Sequence, residues 1–535
     1  CSKQSNVCGW RLRVRKYPWV ASKSQYPWVV WLVSLNGEEH ISCSSVTMIG
    51  SVVLLLFFLL LVFFIRVRRP KNFPPGPRPL PILGNLLQLD HVNPLKDLER
   101  LKRRYGNVFS LYIGSQPVVF LNGLEAVREA LVTRTAEFSG RPKHLMISDI
   151  SEGKGVIMAD FGSSWRDHRR FALTTLRNFG LGKRSMEERI LEEVSHICSA
   201  LERNAGSSMD PQHLFHLAAS NIICSLIYGE RFEYDNPVFL ALISRIQDLT
   251  KIAIGPWAML YDIIPALRSL PLPFKKAFHI YGEIKEHAQK AVTSHKSSRV
   301  SGEPRDLIDC YLDQIDMTGD GGSTFNDAQM VFLLIDLFVA GTDTTSNTLR
   351  CAMLHLMTNQ HIQERCHREI ENVLEGRSYA LFEDRHAMPY VQAMIHESQR
   401  MADTVPLSVF HMTSCNTQVQ GFQLPQGTMV IPNLSSVLHE EGQWKFPQEF
   451  NPDNFLNEDG EFVKPEAFLP FSAGSRVCLG EGLARMELFL ILVTLLRRFQ
   501  FVWPEQEGAP DFRKVFGLAQ AQKPYRLGVR LRSSQ

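Results

Sequence analysis

The sequence predicts a mainly α-helical protein with a small β part, in which a single large domain follows an N-terminal transmembrane helix. A long apolar run near residue 50 predicts the transmembrane helix. Beyond residue 82, most segments repeat apolar residues at the spacing of an amphipathic helix, and strand patterns are confined to two short regions. We therefore divide the chain into an uncertain N-terminal extension (1–47), a transmembrane anchor (48–65), a basic and proline-rich hinge (66–81) and one large domain (82–535).

Composition argues against several classes of protein. The chain has 535 residues, of which 44% are hydrophobic, so a large core can be buried. A net charge of only +3 argues against nucleic acid as the main partner. The 10 cysteines are scattered without a C-x-x-C pair, which argues against a disulfide framework or a structural zinc site. We expect reduced thiols from Cys198 onward, most of them small buried hydrophobes.

The predicted anchor comprises residues 48–65. Residues 52–65 contain no polar side chain, and together with 48–51 they form an uncharged run about long enough to span a bilayer. A buried helix and the core of a signal peptide are the alternatives. No small-residue cleavage site separates the run from the basic residues that follow, which favours a retained anchor. By the positive-inside tendency these basic residues place the rest of the chain in the cytosol: Arg66, Arg68, Arg69 and Lys71.

Residues 1–47 fit this arrangement poorly. They begin with Cys1, and several of their basic residues lie on the side predicted to be lumenal: Arg11, Arg13, Arg15 and Lys16. We expect an upstream extension without a catalytic role, as a gene-model start placed too early would produce. The alternative is a genuine lumenal segment, which abundant peptides from residues 11–40 of the native protein would favour.

The large domain follows a stiff proline-rich stretch (74–81) that we expect to orient it against the bilayer. A hairpin is predicted around Gly114, from residues 108–113 and 118–121. Strand-like segments return near 419–431, and the polar, glycine-rich segment 301–323 is predicted to be a surface loop. Helices are predicted at 125–132, 163–176, 187–204, 237–252, 274–298, 326–357, 388–401 and 482–499.

One cysteine stands in a context unlike the others. Cys478 lies between Gly474 and Gly480, just before the helix predicted at 482–499. The N–H groups of the first helical turn and the helix dipole would stabilise a thiolate there, and Gly480 lets the backbone approach a flat group. Arg476 suits an anionic group such as a propionate, and Phe471 would shield the sulfur. The alternative is a buried structural cysteine before a helix.

Residues 471–480 resemble the cysteine-ligand loop of the cytochrome P-450 superfamily, because a phenylalanine, two glycines, an arginine and a cysteine are all in register. The resemblance covers about residue 48 to the C-terminus and is greatest to the microsomal family 2 enzymes. It implies a cytochrome P-450 fold, haem b (iron protoporphyrin IX) as the cofactor and Cys478 as the iron ligand. Residues 82–535 would then be a haem-binding monooxygenase domain.

A second motif lies within the helix predicted at 326–357. Ala340 and Asp343/Thr344 recur at spacings of three and four with Asp336 and Asn347, so these residues share one face. The small Ala-Gly pair at 340–341 lets a flat cofactor approach, and Thr344 can bond back to a carbonyl one turn earlier. Threonine-rich helix positions are usually structural. The resemblance to the superfamily's oxygen-activation motif instead implies that Ala340 contacts haem and that Asp343 and Thr344 deliver protons.

Propionate contacts are implied by further matches to the family. They fall on Arg141, Trp165, Arg169 and His411. A solvated basic helix is the alternative for the region around Trp165. Phe410 stands where the family often has proline, which makes the bend before His411 less certain.

An E-x-x-R segment matches the family's structural ion pair. Glu397 and Arg400 lie three apart on one predicted helical face. In the family a third, basic residue completes this cluster from an F-x-P-x-x-F segment. Asn454 occupies that position here, so we expect a weaker cluster.

The resemblance implies an NADPH-dependent monooxygenase of the endoplasmic reticulum membrane, with a single-pass anchor and the catalytic domain facing the cytosol. It would insert one atom of dioxygen into a hydrophobic xenobiotic, steroid or fatty acid. Because the chain has no dinucleotide-binding glycine motif, electrons would come from a flavoprotein reductase, with cytochrome b5 in support. The alternatives are a haem-thiolate isomerase or dehydratase that needs no external electrons, and a non-enzymatic haem sensor.

The same resemblance predicts two surfaces. The substrate cavity would be lined from residues 142–155, 242–254, 335–343, 405–410 and 516–519. The reductase would dock on the cysteine side through basic residues, for which the candidates are Arg166, Arg170, Lys183, Arg184 and Arg485.

Overall fold

A computed structural model describes residues 43–66, 69–90, 92–178, 186–319, 324–377 and 379–532. The chain divides into two compact units, Cys1–Val62 and Phe63–Gln535. Residues 1–42 of the predicted extension lie outside the described residues. The same holds for Arg68 of the basic segment, for the docking candidates Lys183 and Arg184, and for the glycine-rich residues 320–323.

The structure is mainly helical, and its β part is small. The helices are α1 (Cys43–Arg66), α2 (Pro94–Tyr105), α3 (Gly123–Arg128), α4 (Met146–Ile150), α5 (Ser163–Asn178), α6 (Met186–Arg203), α7 (Pro211–Ile227), α8 (Pro237–Ala253), α9 (Pro256–Ile263), α10 (Lys275–Ser298), α11 (Leu307–Thr318), α12 (Asp327–Thr358), α13 (Gln360–Leu374), α14 (Pro389–Ala402), α15 (Ser435–Leu438) and α16 (Glu481–Arg498). The strands are β1 (Val108–Ile113), β2 (Gln116–Leu121), β3 (Ser208–Met209), β4 (His411–Met412), β5 (Thr417–Val419), β6 (Phe422–Leu424), β7 (Met429–Pro432), β8 (Phe499–Val502), β9 (Lys514–Val515), β10 (Ala521–Gln522) and β11 (Leu527–Leu531).

α1 contains the residues of the predicted anchor, and its described apolar side chains, such as Leu54 and Phe57, are exposed. Among the described residues, α12 is the helix that is long and apolar enough to cross a membrane. More than half of its apolar stretch (56%) is buried inside the protein, however, as in the core helix of a soluble domain.

The largest sheet has four strands in the order β1-β2-β7-β4. β1 and β2 form the predicted hairpin, in which Val108 pairs with Leu121 and Phe109 stacks on Phe120 with ring centroids 5.4 Å apart. β7 runs parallel to β2, and β4 pairs with β7 in the antiparallel direction. β4 begins at His411, so the inner edge of this sheet carries a residue of the predicted site.

α12 runs through the core and packs against α7, α10, α14 and α16. Its first turn is capped by Asn326, whose side chain accepts the N–H of Gln329 at 3.0 Å. Gly341, in the middle of the helix, allows a close approach of α7, because a Cβ at this position would lie 2.5 Å from Cδ1 of Ile223. The helix that carries the second motif is therefore fixed on several sides.

Most predicted elements are present within a few residues of their predicted bounds. The predicted helices at 163–176, 187–204, 237–252, 274–298, 326–357, 388–401 and 482–499 correspond to α5, α6, α8, α10, α12, α14 and α16. The helix predicted at 125–132 is divided into α3 and a π-helical turn, Glu129–Thr133. α2, α7, α9 and α13 were not predicted.

The prediction of a surface loop at 301–323 was wrong for its central part, which forms α11. Asp306 caps this helix by accepting the N–H of Asp309 at 3.0 Å. Leu307, Tyr311 and Leu312 are buried at helical spacing. The glycines after residue 318 obscured this apolar stripe.

The proline-rich stretch forms no helix, and its first residues pack along β1 instead of standing free as a spacer. The carbonyl oxygen of Pro75 accepts the N–H of Ser110 at 2.7 Å, and that of Pro74 accepts the Ser110 hydroxyl at 2.8 Å. Arg69 donates to the carbonyl oxygen of Gly76 at 2.8 Å. Residues 69–76 are therefore attached to the large domain.

Candidate active site

The cysteine loop is positioned by hydrogen bonds from both sides. The Cys478 N–H donates to the carbonyl oxygen of Phe471 at 2.9 Å, which closes the loop. The Ser475 N–H donates to Oγ1 of Thr135 at 2.9 Å and so ties the loop to the first quarter of the chain. Gly474 has φ +73°, and a Cβ there would overlap the carbonyl oxygen of Leu131, so both its conformation and its surroundings require glycine.

The thiol of Cys478 lies deep in the protein, and its accessible surface faces a cavity. Burial raises the pKa of Cys478, whereas the N–H groups of Gly480 and Glu481 and the positive charge of Arg169 act in the opposite direction. The predicted contribution of the first helical turn is therefore present. A cationic group bound in the cavity would favour the thiolate further.

This cavity has a volume of about 290 Å³ and lies between α12, α16, the cysteine loop and residues 404–411. Eight of the ten predicted site residues line it: Arg141, Arg169, Ala340, Thr344, His411, Phe471, Arg476 and Cys478. The other two, Trp165 and Asp343, do not. The predicted site residues are therefore largely brought together at one place.

Arg476 is held by backbone carbonyl groups. Its Nε donates to Ser139 at 2.9 Å and its Nη2 to Ala159 at 2.9 Å. Its guanidinium lies over the Trp165 ring, 4.1 Å from the centroid. Burial lowers the pKa of Arg476 to about 10; the negative charge of Asp160 acts against this shift, and the positive charge of Arg169 adds to it. The side chain is thus a rigid cation on the cavity wall.

Arg141 is a second buried cation. Its Nε donates to the carbonyl oxygen of Ile157 at 2.8 Å and its Nη1 to that of Phe410 at 2.8 Å. Burial lowers the pKa of Arg141 strongly, and the neighbouring charges of Arg476 and Arg169 lower it further. An anionic group in the cavity would relieve this repulsion. The Phe410 that replaces the usual proline contributes here through its backbone.

His411 presents a single free ring nitrogen. Its Nδ1 lies 2.7 Å from the carbonyl oxygen of Phe138, which can only accept, so Nδ1 carries the hydrogen. Burial and the charge of Arg141 lower the pKa of His411 well below its usual range. The neutral ring can only accept at Nε2. To donate to a carboxylate there, His411 must become an imidazolium, which an anion in the cavity would favour.

Trp165 and Arg169 lie side by side on α5, but only Arg169 reaches the cavity. Arg169 donates from Nη2 to the carbonyl oxygen of Val477 at 2.5 Å, next to the cysteine. The indole N–H of Trp165 donates instead to the carbonyl oxygen of Val156 at 3.1 Å. Trp165 thus supports two arginines from behind, because Arg169 and Arg476 both stack on its ring.

On α12, Ala340 and Thr344 face the cavity. The Thr344 hydroxyl donates to the carbonyl oxygen of Ala340 at 2.7 Å, as predicted. This bond leaves the lone pairs of Oγ1 available to a donor in the cavity. Thr348, one turn later, bonds back in the same way to the carbonyl oxygen of Thr344, at 2.8 Å.

Asp343 points away from the cavity, towards α7. Its Oδ1 lies 3.1 Å from Nε2 of His216, a buried residue that was not singled out from the sequence. The signal was present but weak: the Asp210-Pro211 pair marks the start of α7, and His216 is a polar residue in an otherwise apolar helix. Nothing local in sequence connects His216 with Asp343.

Two further buried carboxyl groups on the cavity wall were not predicted as site residues. Oδ2 of Asp336 accepts the N–H groups of Val156 at 2.7 Å and Ile157 at 2.9 Å, and burial raises the pKa of Asp336 to about 7. Glu487 of α16 accepts the Thr345 hydroxyl at 2.9 Å, and burial raises the pKa of Glu487 to about 8. Burial therefore favours the neutral form of Glu487.

The predicted ion pair is fully buried beneath the site. Arg400 donates from Nε and Nη2 to the two carboxylate oxygens of Glu397, both at 2.7 Å. Asn454 donates to Oε1 of Glu397 at 3.2 Å and accepts the Phe446 N–H at 2.9 Å. The third position of the cluster thus supplies a hydrogen bond instead of a charge.

The predicted substrate lining is only partly represented on the cavity wall. Residues from 335–343 and 405–410 line this cavity, whereas none from 142–155, 242–254 or 516–519 does.

The cavity residues fit a flat, anionic metal complex such as haem b. Among the described residues, no carboxylate forms an ion pair with the buried Arg141 or Arg476, or with the part-buried Arg169. A group with two propionates would supply the missing negative charge. The metal of such a complex also needs a protein ligand. The Cys478 sulfur faces the same cavity, and a cysteine thiolate is one of the ligands that haem iron takes in proteins.

Comparisons with known proteins agree with this geometry. A sequence profile of the family "Cytochrome P-450" matches residues 74–529. Vitamin D(3) 25-hydroxylase of Sus scrofa is 42% identical over 494 residues, covering 90% of this chain and 98% of that protein. Cytochrome P-450 2D15 of Canis lupus familiaris is 43% identical (89% and 97% covered), and cytochrome P-450 2D6 of Homo sapiens is 42% identical (89% and 97%). The chain therefore belongs to the cytochrome P-450 family, as a haem-binding oxidoreductase that monooxygenates small hydrophobic molecules with electrons from a reductase.

Proposed function

We propose that this chain is a microsomal monooxygenase in which Cys478 holds the haem iron and Thr344 acts on the dioxygen side. The basic wall of the cavity (Arg141, His411 and Arg476) holds the propionates. The observation that carries this proposal is that Cys478, Thr344 and the arginines line one cavity. When bound, haem supplies the redox chemistry that activates dioxygen. Arg141, Arg169 and Arg476 would orient it through its propionates.

Thr344 has the geometry of a group that holds and passes a proton. Its hydroxyl hydrogen is directed at the Ala340 carbonyl, so Oγ1 offers lone pairs to a donor in the cavity. On the cavity wall, the small residues Ala340 and Gly341 come before Thr344, and Thr345 and Thr348 are further hydroxyl-bearing wall residues of α12. Protons delivered at this point would accompany cleavage of the O–O bond, which gives hydroxylated product and water. Where they are not delivered productively, the same two electrons and two protons leave as hydrogen peroxide.

We expect Thr344→Ala to uncouple turnover. Reductant consumption should continue while the peroxide formed per reductant rises several-fold, because a positioned proton-transfer group is lost. Hydrogen peroxide, product and NADPH consumption are measured together in the reconstituted system. Thr344→Ser keeps Oγ and should remain coupled. Unchanged coupling in Thr344→Ala would remove Thr344 from this role.

The substrate belongs to the hydrophobic xenobiotic, steroid or fatty-acid class. The apolar wall residues Leu176, Ile223 and Leu226 support such a substrate. The relative named vitamin D(3) 25-hydroxylase supports the steroid-like part of this class. We place the enzyme in the endoplasmic reticulum membrane, with residues 48–65 as a single-pass anchor and the catalytic domain in the cytosol, because the basic residues after position 65 favour that orientation.

The electron donor, a flavoprotein reductase with cytochrome b5 in support, would dock beside the cysteine loop. A concavity of about 440 Å³ there is lined by Arg166, Arg170, Arg177 and Ser475, among others. Arg166 and Arg170 are exposed, in agreement with the sequence-based candidates. Arg485, by contrast, pairs with Glu481 at 2.7 Å, which makes it a poor docking residue.

Arg170→Glu should lower the rate of haem reduction by the reductase about tenfold or more at low salt, because steering between opposite charges is lost. The difference from wild type should shrink as ionic strength rises. Lys290→Glu, the same charge change on α10, is the matched control and should reduce at the wild-type rate. A rate loss that salt does not alter would contradict docking at this surface.

A further inference from the structure

The pair His216–Asp343 joins α7 to the segment of α12 that carries Ala340, Asp343 and Thr344. His216 is 5% exposed, and its Nε2 lies 3.1 Å from Oδ1 of Asp343. Its Nδ1 lies 2.9 Å from the carbonyl oxygen of Gln212, one turn earlier on α7, and 2.8 Å from the Ser346 hydroxyl. Both nitrogens of this buried ring are therefore engaged.

These contacts determine how many protons the pair holds. The Gln212 carbonyl can only accept a hydrogen bond, so Nδ1 must carry a hydrogen, which it can share with Ser346. A neutral ring of that tautomer has a lone pair at Nε2, and an ionised Asp343 has only acceptors. Two acceptors 3.1 Å apart would repel, so a further proton must lie between Nε2 and Oδ1. The contacts therefore leave one proton held between Nε2 of His216 and Oδ1 of Asp343.

We propose that His216 is the residue that reloads Asp343 with protons, so that the pair stores one proton beside the oxygen site. This inference rests on the proposed role of Thr344 and on the family resemblance, which implies proton delivery by Asp343. In the reaction, substrate, dioxygen, two electrons from the reductase and two protons give hydroxylated product and water. The proton moves from Nε2 of His216 to Oδ1 of Asp343, and the neutral ring then takes another from solvent.

The transfer itself would free Asp343 to move. Before it, a carboxylate and an imidazolium attract each other in a largely buried setting, with 14% and 7% of their side chains exposed. After it, both groups are neutral and the attraction is that of an ordinary hydrogen bond. Ala340 lies three residues before Asp343, hence beside it on the helix surface, and it lines the cavity.

The chain contains a matched pair away from the cavity. His295 of α10 has Nδ1 at 2.8 Å from the carbonyl oxygen of Ala291, one turn earlier, and Nε2 at 2.8 Å from Oδ2 of Asp306. Neither residue lines the cavity, and Asp306 serves as the cap of α11. His295→Gln therefore removes the same type of histidine–aspartate pair without touching α12.

The test compares His216→Gln with His295→Gln in the full-length enzyme reconstituted with its reductase. In His216→Gln we expect peroxide per reductant to rise several-fold and the solvent deuterium isotope effect on product formation to increase. The thiolate-type spectrum of the carbon monoxide complex should be kept. His295→Gln should match wild type in coupling and isotope effect. Wild-type coupling in a spectrally intact His216→Gln would overturn the proposal.

A second measurement does not depend on turnover or on the folding of His216→Gln. In the ¹⁵N-histidine spectrum of the wild-type protein at neutral pH, the signals assigned to His216 should show both ring nitrogens protonated, and in Asp343→Asn only Nδ1. A neutral His216 ring in the wild type would overturn the proposal. If Thr344→Ala uncouples turnover while His216→Gln does not, the proposed role of His216 is wrong and the proposed role of Thr344 is kept. If neither uncouples, both are wrong.

Discussion

Cys478→Ser is expected to abolish the strongly red-shifted Soret band of the reduced, carbon monoxide-bound protein. Serine is nearly isosteric with cysteine, so the loop closed by the Phe471 carbonyl can persist. A hydroxyl, however, is a far weaker acid than a thiol and cannot supply the anionic sulfur that gives this band. The N–H groups of Gly480 and Glu481 would then face a neutral oxygen. Monooxygenation should be lost with the band.

The experiment compares membrane-expressed wild type, Cys478→Ser and Cys415→Ser. Cys415 is an exposed cysteine outside the cavity, so its serine variant controls for the loss of a thiol as such. It should keep both the band and the activity. If the red-shifted band survives in Cys478→Ser, Cys478 is not the iron ligand. The assignment of the basic wall to the haem propionates would then be unsupported as well.

Arg400→Lys should prevent accumulation of the folded, haem-loaded enzyme. The Arg400 guanidinium is fully buried and donates to both oxygens of Glu397 and to several carbonyl groups, among them those of Leu438 and Glu449. An ammonium has three donors and no fork, so part of the Glu397 carboxylate and some of these carbonyl groups would be left buried without a partner. Each buried acceptor left without a donor costs about 1–3 kcal/mol, and this change leaves more than one of them. That is much of the about 5–15 kcal/mol that usually holds a domain folded.

The free energy of unfolding and the yield of haem-loaded protein are the measurements. Arg377→Lys is the matched control, because Arg377 forms a bidentate pair with Asp384 at the surface, where water replaces lost contacts. It should behave as wild type. If Arg400→Lys had as little effect as Arg377→Lys, the cluster would not be needed for stability. The replacement of a basic residue by the neutral Asn454 would then have no consequence.

The elements around the cysteine were predictable because their signals are local. The glycines and the arginine of 471–480 lie close together in the sequence. The helical period of α12 can be read directly from the spacing of its apolar residues. Helical spacing alone could not say which of the adjacent residues Asp343 and Thr344 faces the cavity, since that depends on how α12 is rotated against α7. The structure places Thr344 on the wall and Asp343 on His216.

The residues missed by sequence reasoning are those whose role comes from distant partners. His216 meets Asp343 across 127 positions, and Glu487 meets Thr345 across 142. A glutamate within the apolar run of α16 is visible in the sequence, but whether burial protonates it depends on what packs around it. The basic wall combines Arg141, His411 and Arg476 from three separate segments, and the resemblance to a family was needed to group them.

The attachment of the cysteine loop to the first quarter of the chain determines when the enzyme can be assembled. Ser475 bonds to Thr135 across 340 positions, and Arg476 bonds to Ser139 across 337. Contacts so distant in sequence form late, because a long loop must close first. Residues 131–139 therefore wait for their partner until almost the whole chain has left the ribosome. Haem is consequently captured after synthesis, and a chain truncated before residue 474 would lack Cys478 and Arg476 and would keep only Arg141 and Arg169 of the three site arginines.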